Sequence, residues 1–460
     1  MQHCVIRSFG LAALMLCGTA LPLTAQEKAP VKKEAPKIEN YSLRIATDKP
    51  DAIYKKGETV TFTAELLKDG KPAPELKLSY RLSENGNWGK FVEAKSDKPL
   101  TATAKLDKPG WVSIEVFAIG PDGKKLKNPK RKNVNLKAEI GAMIDPLEIT
   151  ESAPEPKDFD AFWKAQRELL DKVPVEAERV EVPVPKKFQD KIVCYDVKVK
   201  CAGPKPVSGC LVMPKDAKKG SLPAVVYFHG AGVRSAYKKM KEGSSCIAFD
   251  VNAHGILNGQ PKEYYDNLNK GMLRGYRTQG KENRDTVYFK DMFLRVMRAL
   301  DYVKTLPEWD GKTLIVCGGS QGGAQAIVAA ALDPQVSFCN AGVPALGDHA
   351  GRLVGRRPGW PCYVNKKNLN DADLKVIDAV KYYDHVYFAK RIKCETYFYT
   401  GFIDFVCAPT SVYAAYNNLP KNIVKHIQTT PTGAHGAPGG LAYKRMNEII
   451  QNAIKTTPVK

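Results

Sequence analysis

At 460 residues, with 43% apolar and 26% charged side chains, the chain has the composition of an ordinary globular protein with material for two or three domains. Its formal net charge of +21 is scattered, and the densest basic run, KKLKNPKRK at Lys124–Lys132, follows a turn dipeptide and lacks interleaved aromatics. No helix-turn-helix, zinc-finger or RNA-binding signature occurs, so nucleic acid is excluded as the expected partner and acidic polymers such as uronate-bearing polysaccharides are favoured.

The first residues, MQHCVIRSFGLAALMLCGTALPLTAQ, carry one arginine, an apolar stretch from Phe9 to Leu23 and small residues ending at Ala25. This predicts a secretory signal over residues 1–25, removed after Ala25. The apolar run is too short for a transmembrane helix, and no later segment reads as a membrane span. The expected location is therefore periplasmic or secreted. Residues 26–40, QEKAPVKKEAPKIEN, read as a linker rich in Lys, Glu, Ala and Pro.

Residues 41–142 show period-two alternation. Val60, Phe62, Ala64 and Leu66 share one face, as do Leu76, Leu78, Tyr80 and Leu82, and later Val112, Ile114, Val116 and Ala118. The dipeptides Asp69-Gly70, Asn85-Gly86 and Asp122-Gly123 punctuate them. Six or seven short strands in about 100 residues indicate a small immunoglobulin-like β-sandwich. Trp88 reads as exposed, and no constellation in this stretch suits chemistry.

From 143 to 460 the texture is α/β. DFDAFWKAQRELLDKV (Asp158–Val173) reads as an amphipathic helix with an Asp cap, followed by the hairpin strands VCYDVKVKC and VSGCLVMP. Strand-like runs LPAVVYFHG, SSCIAFDVNA, TLIVCGG, VSFCNAGVP, CETYFYTG and NIVKHIQTT then alternate with helices, the longest being DTVYFKDMFLRVMRALDYVKTL. Such alternation implies a mostly parallel sheet covered on both faces. Because every candidate catalytic residue lies beyond Asp158, the part from 143 onward is expected to fold and hold the whole site. Of eleven cysteines, nine follow Ala25 and none forms a C-x-x-C pair, so no metal site is expected. Cys201 and Cys210 flank GPKP and leave two readings open, a bridge or two free thiols.

Gly318-Gly319-Ser320-Gln321-Gly322 fits G-x-S-x-G between a strand and a helix. A nucleophile on so tight a turn needs neighbours almost without side chains. A phosphate loop would need Gly-Lys-Ser/Thr, and a dinucleotide fingerprint has other spacing. The serine needs a base, and the base a carboxylate to orient it. The order Ser, Asp, His selects Asp404, at the end of ETYFYTGFIDFVCAP, and His435, in TTPTGAHGAPGG after the last strand. Asp384 and His385 precede a strand, His426 sits inside one, and His254 and His349 precede Asp404, so these rivals fit less well. His229 is expected to brace loops. The turn FHGAG places small residues at Gly230–Gly232, with the Ala231 and Gln321 amides as oxyanion donors.

These residues resemble the acetyl xylan esterase / cephalosporin C deacetylase family (carbohydrate esterase family seven) of the α/β-hydrolase fold. The resemblance runs from about Asp158 to the C-terminus through DFDAFW, FHG, GGSQGG, YYDHVYFA and GFIDFVCAPTSVYAAYN with its histidine loop. It implies Ser320, Asp404 and His435 as a triad, the Gln321 backbone as oxyanion donor, an acetylated oligo- or polysaccharide as substrate, and no metal or cofactor. It also implies a ring-like homo-oligomer, which the added sandwich would obstruct. The chain departs from the family at Ala231, where tyrosine is usual, at Asn252-Ala253-His254-Gly255 in place of R-G-Q-G, and at His435-Gly436 in place of His-Glu. Alternative readings are a general carboxylesterase, a serine peptidase of the prolyl-oligopeptidase type, and a non-catalytic carbohydrate-binding protein. The peptidase would carry tyrosine after the nucleophile and a much larger propeller. A glucuronoyl methylesterase would carry arginine at Gln321.

Overall fold

The computed structural model describes residues 40–131 and 133–456. The expected leader, residues 1–25, and the linker as far as residue 39 lie outside the described residues. Ten strands come first: β1 (Tyr41–Thr47), β2 (Ile53–Tyr54), β3 (Thr59–Lys68), β4 (Lys71–Pro72), β5 (Lys77–Glu84), β6 (Asn87–Trp88), β7 (Val92–Lys95), β8 (Leu100–Lys105), β9 (Gly110–Ile119) and β10 (Lys137–Ile144). They form a four-stranded sheet around β3 and a six-stranded sheet ordered β2-β10-β9-β5-β6, with β7 also on β5. The expected sandwich is present, and its three additional strands are two-residue pieces. The Asn85-Gly86 turn between β5 and β6 has φ of +49° and +78°, the left-handed pair that a two-residue hairpin requires. β10 runs to Ile144, two residues beyond the boundary suggested by the change in sequence texture.

The second part contains α1 (Phe159–Asp171), then β11 (Ala177–Glu181), β12 (Ile192–Val199), β13 (Val207–Pro214), β14 (Leu222–Phe228) and β15 (Ile247–Val251). After α2 (Lys262–Lys270) and α3 (Phe289–Lys304) come β16 (Trp309–Gly319), α4 (Gln321–Leu332), β17 (Phe338–Gly342), α5 (Asp371–Val380) and α6 (His385–Ala389). The chain closes with β18 (Glu395–Gly401), α7 (Pro409–Asn418), β19 (Lys425–Thr430) and α8 (Gly440–Thr456). The nine strands order as β11-β12-β13-β15-β14-β16-β17-β18-β19. β11, β12 and β13 are antiparallel, whereas the six from β15 to β19 run parallel. Parallel strands need crossovers, and the helices that supply them bury both faces, so β14 is buried along its whole length. α4 is rich in glycine and alanine and almost wholly buried, which lets it lie close against the sheet. The polar edge strand β11 is exposed at every residue and therefore carries no alternation.

The sandwich and the α/β part form one compact unit. Val112, Ile114 and Val116 of β9 point into the sandwich, yet every residue of that strand is buried, because its opposite face is covered too. On that face Trp111 donates its indole N–H to the Phe402 carbonyl at 2.6 Å and lies 4.7 Å from the Phe405 ring. Gly141 N donates to Pro431 O at 2.9 Å, and a Cβ at Gly141 would collide with the Phe402 backbone. Arg357 N donates to Asn85 O at 2.9 Å. Trp88, which reads as exposed in sequence, is half-buried and stacked on Phe405 at 4.7 Å. One continuous apolar cluster joins Trp111 and Ile114 to Phe402 and Val412. A chain starting at 143 would bare this surface.

Trp111→Ala is therefore expected to cost ~3–5 kcal/mol, the usual range for removing a buried tryptophan. Trp111→Phe, which orphans the Phe402 carbonyl, should cost ~1–3 kcal/mol. Urea unfolding should remain a single transition for both variants. Two separated transitions would mean that the sandwich and the α/β part fold independently.

Candidate active site

Ser320 stands between β16 and α4 at φ +58° and ψ −125°, a conformation that side-chain-bearing residues rarely adopt. Strain of this kind costs ~1–3 kcal/mol and persists only where the surroundings impose it. Here Ser320 N donates to Gly342 O at 2.9 Å, and Ser320 O accepts from Ala345 N at 3.0 Å. A Cβ at Gly318 would collide with the Gly322 carbonyl, and one at Gly322 with the Phe228 carbonyl. The glycines around the serine are thus steric requirements of three backbones meeting.

The turn brings together the three residues expected from sequence. His435, in the loop after β19, has Nε2 2.9 Å from Ser320 Oγ and Nδ1 2.9 Å from Asp404 Oδ2. Asp404, after β18, is fully buried, and its Oδ1 accepts from Val406 N at 2.8 Å and Cys407 N at 2.9 Å. These bonds leave Oδ2 aimed at the imidazole. Because the carboxylate accepts the hydrogen bond from Nδ1–H, Nε2 presents a lone pair to the serine hydroxyl. A Cβ at Gly401 would strike the Gly433 carbonyl, so glycine there lets the acid loop and the histidine loop meet. The histidine side chain is 34% exposed, which opens it to substrate and water.

The other loop at the serine is FHGAG. A Cβ on Gly230 would lie 3.6 Å from Ser320 Cβ. Among the described residues, neither the Ala231 nor the Gln321 amide has a protein acceptor. Gln321 opens α4, where amide N–H groups are free by geometry. His229 braces this loop as expected: its Nε2 accepts from Ala253 N at 3.1 Å, so its Nδ1–H donates to Gly230 O at 2.7 Å. His254 holds the same loop two residues further on, with Nε2 3.2 Å from Gly232 O and Nδ1 2.7 Å from Tyr288 Oη. The sequence reading did not find this second brace, although its one signal was the departure at Asn252–Gly255. The Gln321 side chain is buried and accepts from Tyr276 Oη at 2.6 Å. Tyr276 packs edge-on to His254 at 4.6 Å and comes within 6.5 Å of Trp360, which fixes one side of the site.

The rivals have structural work. Asp384 caps α6 and accepts from the Asp348, His349 and Val386 amides. His349 and His385 are buried, and His426 packs at a tilt against Tyr397, with ring centroids 4.6 Å apart. All nine described cysteines are free, Cys201 and Cys210 included. Among the described residues, the one group of metal-type ligands is Asp404, Cys407 and His435. Burial drives the Cys407 thiol well above its ordinary pKa, so it is held protonated and is a poor metal ligand.

An activated serine, a base, a buried orienting acid and two free amides can together transfer an acyl group. The fold and site define a carboxylic ester hydrolase of the α/β-hydrolase class. A family model described as acetyl xylan esterase matches residues 147–452. An acetyl esterase of Xylanibacter ruminicola, Axe7A, is 31% identical over 424 residues, covering 89% of this chain and 91% of that protein. The chain belongs to the acetyl xylan esterase family. Among solved structures, the acetyl xylan esterase from Paenibacillus sp. R4 is 26% identical with a TM-score of 0.56, covering 67% of this chain and 98% of its own. Acetyl xylan esterase 1 from Thermoanaerobacterium sp. JW/SL YS485, at 24% identity and a TM-score of 0.54, covers 66% and 97% and shares the fold. The match to Axe7A cannot reach its extent without most of the residues ahead of 147, so the sandwich region is shared with that relative.

The buried histidines give the protein a pH signature. Burial lowers His229 and His385 to about 4 and His254 and His349 to about 3. An unfolded histidine binds a proton near pH 6.5, whereas these bind one only far below it. The unfolded state therefore takes up more protons as pH falls, and stability drops below pH 6.5 by up to about 1.4 kcal/mol per pH unit for each histidine. Asp250 and Asp384, raised to about 6 and about 7 mainly by burial, act in the opposite sense, but the histidines outnumber them. Urea midpoints should fall steadily from pH 6.5 to pH 4.5, less steeply in a His349→Asn variant. A flat profile would contradict neutral burial of these rings.

Proposed function

We propose that the protein is an exported serine esterase that removes O-acetyl groups from acetylated xylan or related oligosaccharides. The observation that carries this reading is the pair of 2.9 Å contacts joining Ser320, His435 and Asp404 in a chain of the acetyl xylan esterase family. Ser320 Oγ attacks the acetyl carbonyl while His435 Nε2 takes its proton. Asp404 holds the imidazole in the required tautomer and stabilises the imidazolium. The Ala231 and Gln321 amides receive the developing oxyanion, and each such donor supplies ~3 kcal/mol of transition-state stabilisation. Collapse of the tetrahedral intermediate expels the sugar hydroxyl with the proton from His435. Water, deprotonated by the same nitrogen, then attacks the acetyl-serine and releases acetate. The leader-like residues 1–25 support export, and a mature N-terminus at Gln26 in the exported protein would test it.

Ser320→Ala and His435→Ala should abolish turnover of 4-nitrophenyl acetate, and Asp404→Asn should reduce it by ~10⁴-fold, with unchanged circular dichroism. Retained activity in the Asp404 variant, with loss in an Asp384 variant, would overturn the choice of acid. The acyl side is expected to be narrow, because Gln321 is tied to Tyr276 and cannot swing away. Overpacking costs ~1–3 kcal/mol, so kcat/KM should fall by about tenfold or more from 4-nitrophenyl acetate to butyrate and again to octanoate. Equal or rising values would favour a general carboxylesterase.

A further inference from the structure

The sandwich and the α/β part enclose a cleft of about 570 Å³, well within the ~300–1,000 Å³ range of small-ligand sites. Its sandwich wall is the hairpin carrying Glu84, Asn85, Asn87 and Trp88, and its opposite wall carries Arg352 and Lys367. Trp88 lies between the Phe405 ring on one face and the Arg81 guanidinium on the other. Phe405 directly follows Asp404, so the Trp88 ring that lines the cleft packs against the neighbour of the acid of the candidate triad.

The charge in this cleft is unbalanced. Arg352 is half-buried and held by two amide oxygens, Asn87 Oδ1 at 2.7 Å from the sandwich and Asn365 Oδ1 at 3.1 Å from the α/β part. Among the described residues it has no carboxylate partner, nor does Lys367, nor the neighbouring Arg357, whose Nε donates to Phe405 O at 2.7 Å. Asp348 is taken by Arg356 and Asp373 by Lys366. Glu84 is the single acid in the lining, against two cations. A half-buried guanidinium that forms no ion pair suits a carboxylate, because its planar donors match the two oxygens. The Trp88 indole N–H also lacks an acceptor among the described residues, and Asn85 and Asn87 stand beside it. Neutral donors and amides around a cation suit an acidic sugar better than a phosphate cluster or an apolar ligand.

We propose that this cleft is a subsite for the carboxylate of a uronic-acid unit on the acetylated polysaccharide, with Arg352 as its principal anchor and Lys367 as a second cation. The inference rests on the esterase reading above and adds the substrate class that the site prefers. It gives the sandwich a role in recognition, because Asn87 orients the arginine across the boundary between the two parts.

The test compares acetate release by the full-length enzyme from acetylated xylo-oligosaccharides of equal length, with and without one glucuronosyl branch. The branched substrate should show ~10-fold higher kcat/KM at low salt, a preference worth about 1.4 kcal/mol. Lys367→Gln, at an exposed position, should shrink this ratio. Arg352→Gln should bring it close to one, and Arg352→Lys should leave an intermediate value. A ratio of one in the unmodified enzyme, or a ratio that survives Arg352→Gln and Lys367→Gln together, would overturn the proposal. Turnover of 4-nitrophenyl acetate by the same preparation separates the two readings. Its absence would sink the esterase reading itself, whereas its presence with a ratio of one would sink only the uronate subsite.

Discussion

The backbone of Ser320, held at φ +58° and ψ −125°, is the constraint on which the rest of the site depends. A serine does not choose this conformation, so neighbouring segments must enforce it. The end of β17 and the loop after it do so through Gly342 O and Ala345 N, and β14 comes close enough that residues 318 and 322 have no room for a side chain. What results is a hydroxyl lifted off the sheet edge with the free amides of α4 behind it. The parallel order β14-β16-β17-β18-β19 then decides that loops after β14, β18 and β19 arrive at the same edge. Each of those loops delivers one component: FHGAG, Asp404 and His435.

A loop that delivers a buried carboxylate must itself be held. Asp404 is anchored locally by the amides of Val406 and Cys407, but the carbonyl of Phe402 and the ring of Phe405 are held by the sandwich. Trp111 and Trp88 grip the acid loop from outside, and β10 contacts the turn after β19 that leads to the histidine. The sandwich is therefore part of the frame that sets the distances between the candidate catalytic groups. Its junction with the α/β part also creates the cationic cleft, since neither part alone surrounds Arg352.

A second set of supports lies behind the FHGAG loop, the proposed oxyanion loop. His229 and His254 hold the carbonyls of Gly230 and Gly232 and so fix the backbone of that loop. Both rings are neutral, because burial makes their protonation costly. Neutral imidazole can donate at one nitrogen and accept at the other, which a lysine or arginine at the same place could not do.

Much of this was legible in the residues alone. Strand-turn-helix around GGSQGG, the order Ser320, Asp404, His435, the sandwich alternation and the six main strands of the α/β part all have local signatures, because period, glycine placement and chain order are written along the sequence. Other elements lack such a signature. β11 is an exposed edge with no apolar face, and α5 is announced only by the cap pair Asn370 and Asp373. The grip of Trp111 on Phe402 joins residues 291 positions apart, and the brace from His254 and the pairing of Gln321 with Tyr276 are likewise long-range. Such contacts depend on which surfaces meet after the elements form. The sequence by itself determined the chemistry available and the fold that carries it; the tertiary structure decided what holds each group at its working distance and where the two parts close on a common cleft.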